Sequence, residues 1–156
     1  MDEVIKQWKS YPQKEVMKMV ADSITVLGDI SCMVLRTHLW AEGFMDGILY
    51  QVSKYSEDDT FAKKRKKLFE SGLIGDTCSE ELKILNDIRN LVAHNLYPHK
   101  EIEDAVKKFP RFEQFHLPEK KDFLGLDLSK MSSFGLISFM LMHELMTIFW
   151  DPKVKN

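Results

Sequence analysis

The chain has 156 residues, enough for one domain whose core takes roughly 70% of the unfolded surface out of water. Hydrophobic residues make up 44% and charged residues 29%, an ordinary balance for a soluble globular protein. The formal net charge of −2 excludes a protein that coats nucleic acid or an acidic membrane through its overall field, so any such contact must come from a local patch. Two cysteines, Cys32 and Cys78, belong to no paired motif and read as buried free thiols of a reducing compartment. The acidic start Met1-Asp2-Glu3, with no apolar run behind it, predicts no secretory leader, and the expected location is cytoplasmic. The most apolar stretch, 134–150, carries His143 and Glu144 and is too short to span a bilayer comfortably, so no membrane partner is expected.

In chain order, residues 13–28 predict a first helix, with Val16, Met17, Met19, Val20, Ile24, Val26 and Leu27 apolar and Gly28 at its end. Residues 30–52 predict a second, because Met33, Val34, Trp40, Phe44, Met45, Ile48 and Leu49 recur at three- and four-residue intervals. Thr60 is placed to cap a helix over 61–71, and Gly72 to end it. Ser79-Glu80-Glu81 reads as the start of the next, with Ile84, Leu85, Ile88, Leu91 and Val92 on its core face and Pro98 as its limit. A short helix is expected near 99–108, and an irregular connection over 111–127. Ser129 is then the expected cap of a last helix running to about 149, where Asp151-Pro152 stops it. Five or six helices and no strand predict a single all-α domain, an up-and-down helical bundle.

Arg89, Asn90 and His94 are polar residues on a helix otherwise committed to a core. They admit a structural role: Arg89 on a solvated face, and His94 at a helix C-terminus favoured by the dipole. The pattern Arg89-Asn90-Leu91-Val92-Ala93-His94 also resembles the signature of the HEPN superfamily. Thr60-Phe61-Ala62 leading a helix that ends in Gly72-Leu73-Ile74, followed by Ile88-Arg89-Asn90 and Ala93-His94, is similar to the mannitol operon repressor branch of that superfamily. The resemblance covers about residues 20–97. It implies an endoribonuclease needing no metal or other cofactor, possessed by some members as a toxin or defence activity. In that role His94 is a general base or acid, Arg89 neutralises the phosphate, and Asn90 orients the helix end or a phosphate oxygen. The product would be a 2′,3′-cyclic phosphate, so the substrate is RNA. Residues five apart on a straight helix diverge by roughly 140°, so Arg89 and His94 share no stripe. They converge if the helix end loosens near Ala93, if the long Arg side chain reaches round, or if a second subunit contributes. The resemblance implies the last, a homodimer pairing two motif helices. Tyr97 lies three residues after His94, not two as in toxin members whose tyrosine an antitoxin modifies, and reads as a packing residue.

Lys63-Lys64-Arg65-Lys66-Lys67 is either a solvated helix surface or an RNA- or DNA-backbone contact. Glu42 and Asp46, four apart with His38 four residues before Glu42, read as a solvated stripe, a contact with Arg89, or a carboxylate or metal pair that nothing completes. Three functions compete: the ribonuclease, with an antitoxin or regulatory protein as its expected partner; a non-catalytic regulator resembling the mannitol operon repressor and acting through protein contacts; and a pure interaction module, an antitoxin-like or complex-forming helical subunit.

Overall fold

The helical period is realised in eight helices among the described residues of the computed structural model: α1 (Asp2–Ser10), α2 (Gln13–Thr25), α3 (Ile30–Gln51), α4 (Phe61–Glu70), α5 (Asp76–His94), α6 (His99–Val106), α7 (Phe112–Phe115) and α8 (Ser133–Trp150). The structure describes residues 1–25, 29–94, 99–115, 122–123, 126–127 and 132–154. The fold is an all-α bundle. Its only sheet among those residues is a two-residue antiparallel ladder, β1 (Asp122–Phe123) on β2 (Leu126–Asp127). A 3-10 turn, Pro152–Val154, follows α8.

The two most apolar helices, α3 and α8, form the axis, and α2, α4 and α5 pack around them. Gly47 permits the close approach of the axis pair: a Cβ there would lie 2.5 Å from Cε2 of Phe149. That ring cannot retreat easily, because Trp8, Phe44 and Trp150 surround it in edge and tilted contacts. By length and composition α8 would pass for a membrane span, yet ten of its residues are buried inside the bundle, as in a core helix.

Local signals explain most helix ends. Thr60 accepts from the Lys63 amide as N-cap of α4, and Gly72 at φ +68° follows its C-cap, as the sequence predicts. Three expectations are corrected. Helix α5 begins at Asp76, so Ser79 lies inside it, buried, where it accepts a hydrogen bond from Arg65 Nη1 (2.8 Å). The N-cap of α8 is Ser132, which accepts from Gly135, with Ser129 outside the described residues. Residues 111–127 contain α7 and the small ladder. Helix α1 is an addition: it docks through half-buried Ile5 and Trp8, a two-residue anchor too sparse to register as a period. Val26, Leu27, Gly28, Tyr97 and Pro98 lie outside the described residues.

Candidate functional site

Helix α5 carries the motif and remains α-helical through His94. The loosening near Ala93 that would let Arg89 and His94 converge within one chain is absent. The two side chains therefore leave the helix in different directions, roughly 140° apart. Both are exposed, and Asn90 between them is half-buried. Arg89 Nη1 donates to Asn90 Oδ1 at 3.3 Å.

His94 and Asn90 line a cleft of about 360 Å³ between α5 and α6. Its other walls are Ile84, Asp87, Leu91, Ala105 and Lys108; Arg89 is not among them. Asp87, Asn90 and His94 stand at i, i+3 and i+7, which is one stripe of a helix. Three apolar and four polar side chains share its walls, and the volume falls in the lower part of the range usual for small-ligand sites. The sequence reading took Asn90 and His94 but passed over Asp87, although the stripe spacing was visible. Lys108 had no comparable signal, because it lies beyond the end of α6 and reaches the cleft through tertiary packing.

The five-residue basic run divides, because a continuous run must circle its helix. Lys64 is a core residue at 6% exposure, which corrects its reading as an RNA contact. Its Nζ donates to Glu42 Oε1 (2.9 Å) and Asp46 Oδ2 (2.9 Å). Burial alone would lower the Lys64 pKa; the hydrogen bonds to Asp46 and Glu42 outweigh it and hold the ammonium above its ordinary value. Burial likewise raises the Asp46 carboxyl, against the pull of Lys64. Arg65 is engaged with Ser79, and Lys67 with Asp59 and the carbonyl of Lys54. Lys63 and Lys66 are exposed, Lys66 in a loose pair with Glu70 at 3.6 Å. Glu42 and Asp46 thus answer to Lys64, not to Arg89. His38 completes this buried group: its ring stacks on Phe61 (centroids 4.1 Å) and its Nε2 lies 3.3 Å from Asn86 Oδ1. Burial lowers its pKa, with Asn86 opposing. Among the described residues no group of three or more His, Cys, Asp or Glu is placed to hold a metal ion.

A second buried ionic group joins α5, α8 and the segment after α6. Arg111 Nη2 lies 3.0 Å from Glu81 Oε2 and also pairs with Glu144. Glu81 is fully buried, and burial pushes its carboxyl up to about 7 despite Arg111. The nearby Cys78 thiol is pushed up as well, chiefly by burial, and is inert as a nucleophile. Cys32 and Cys78 are both free thiols; Cys78 is buried and Cys32 only partly so, its Sγ facing Asp29.

No family model, no characterised protein and no solved structure matches this chain. The described residues form an all-α bundle with buried ionic groups around Lys64 and Arg111 and a cleft along α5 that Asn90 and His94 line.

Proposed function

We propose that the protein is a metal-independent endoribonuclease of HEPN type, a toxin or defence effector, that cuts RNA with Arg89, Asn90 and His94. One observation carries the proposal: Arg89 and His94 are exposed near the end of one helix, whereas Lys64 and Arg111 are engaged in the fold. Among the described residues the side-chain hydrogen bond of Arg89 goes to Asn90, a polar residue that itself lines the cleft with His94.

In this reading His94 removes the proton of a ribose 2′-hydroxyl. That oxygen attacks the adjacent phosphorus, the 5′-oxygen leaves and takes a proton, and a 2′,3′-cyclic phosphate remains. An imidazole nitrogen can both accept and return a proton, as the two transfers require. The guanidinium faces the charge developing on the phosphate. Because the two groups leave one helix in different directions, a two-fold dimer in this reading supplies His94 from one protomer and Arg89 of the partner subunit. The free cysteines fit a reducing, cytoplasmic setting.

A second reading, a non-catalytic regulator resembling the mannitol operon repressor and acting through a regulatory or antitoxin-like protein partner, is favoured by the position of Arg89 outside the His94 cleft. RNA incubated with the protein in a chelator separates the two. The ribonuclease reading expects fragments ending in 2′,3′-cyclic phosphate and a loss of about 100-fold or more in His94→Ala. No cleavage, or equal cleavage by wild type and His94→Ala, leaves the regulatory reading.

A further inference from the structure

We infer that Lys108 anchors a second phosphate subsite in the α5–α6 cleft, seating single-stranded RNA that runs away from His94; this rests on the ribonuclease reading. His94 and Asp87 are seven residues apart, so the cleft runs roughly 10 Å along α5. Helix α6 starts five residues after α5 ends and packs against it, so it turns back along α5. Lys108, two residues past α6, therefore reaches the end of the cleft marked by Ile84 and Asp87, opposite His94. That span exceeds the separation of adjacent phosphates in a single strand, so the two ends meet different phosphates.

The chemistry along that path suits a single strand. Leu91 and Ala105 offer an apolar floor for a base, and the Asn90 amide offers both a donor and an acceptor to a base edge or a ribose hydroxyl. Asp87 on the α5 wall repels phosphate, which leaves the α6 side, and Lys108, as the place where the backbone can rest. Lys108 is exposed and forms no ion pair among the described residues, whereas its neighbour Lys107 pairs with Asp104 at 3.0 Å and lies outside the cleft. The obvious basic run is a poorer candidate, because Lys64, Arg65 and Lys67 are already engaged.

The test is binding of a short 2′-O-methyl oligoribonucleotide, which lacks the attacking hydroxyl and stays intact. Anisotropy titrations on the full-length protein, across a salt series, compare wild type with Lys108→Ala, Lys108→Arg and Lys107→Ala. The subsite predicts that Lys108→Ala weakens binding about fivefold and reduces the slope of log affinity against log salt by about 0.7, one phosphate contact on a single strand. Lys108→Arg should retain binding, and Lys107→Ala should match wild type. Equal effects of Lys108→Ala and Lys107→Ala, an unchanged slope, or no binding by wild type overturns the subsite. Cleavage of ordinary RNA by His94→Ala is scored in parallel. Persistent cleavage there removes the catalytic reading, while the Lys108 titration still decides the subsite on its own.

Discussion

Glu81 is fully buried, with Arg111, Glu144 and the Cys78 thiol as its ionisable neighbours. Its carboxyl, ordinarily near 4.5, is pushed up to about 7 by burial and by Glu144, with Arg111 opposing. The folded state thus binds this proton more tightly than the unfolded chain does. The contribution of Glu81 is most favourable below about 4.5 and is lost as pH rises through about 7. Replacing it with the neutral isostere should therefore matter mainly above that range. Glu81→Gln is expected to raise the Tm by a few degrees at pH 8 and to change it little at pH 5, read from thermal melts. An equal shift at both pH values would show that Glu81 keeps its proton equilibrium on folding. His38 acts in the opposite sense: burial lowers its pKa, so its contribution is present above about 6.5 and falls away on acidification. The comparison of variant and wild type at each pH cancels that term, because the His38 surroundings contain no part of the Glu81 group.

At the scale of elements, α4 shows how one run of like residues serves different ends. Lys64 closes α4 on α3 through Glu42 and Asp46, and both carboxylates retain some contact with solvent. Removing the ammonium leaves two acids facing each other, at about 2 kcal/mol after allowance for that exposure. Lys64→Ala should accordingly lower the Tm by about 4–8 °C, while Lys63→Ala, on the exposed side, should leave it within a degree or two. Equal melting of the two would mean that Lys64 is a surface residue. The positions of the α2–α6 and α8 helices were legible in the sequence because apolar spacing and caps such as Thr60 and Gly72 are local signals. Helix α1 was not, since Trp8 gains its meaning from Trp40, Phe44 and Phe149 far along the chain. The site was half legible. Asn90 and His94 fall together on the cleft, but which basic residues face solvent depends on acids 18 and 22 positions away, and Arg111 meets its partners only through the packing of α5 and α8.

At the scale of the whole molecule, the α-helical course of α5 through His94 shapes the proposed catalytic assembly. One protomer presents Arg89 and His94 on different sides of a helix, so the proposed RNA cleavage calls on two copies of the motif in one cleft. Both residues are exposed, so their alanine variants should fold as wild type does and keep the proposed dimer. This allows a mixing experiment with cleavage of a labelled RNA as its readout. Arg89→Ala and His94→Ala should each be nearly inactive alone. Mixed and allowed to exchange subunits, they should recover up to about a quarter of wild-type activity: random exchange makes half of the dimers mixed, and each mixed dimer keeps one intact Arg89–His94 pairing across its two-fold. A mixture as inactive as its components, from a wild type that cleaves, would contradict a site shared between two subunits.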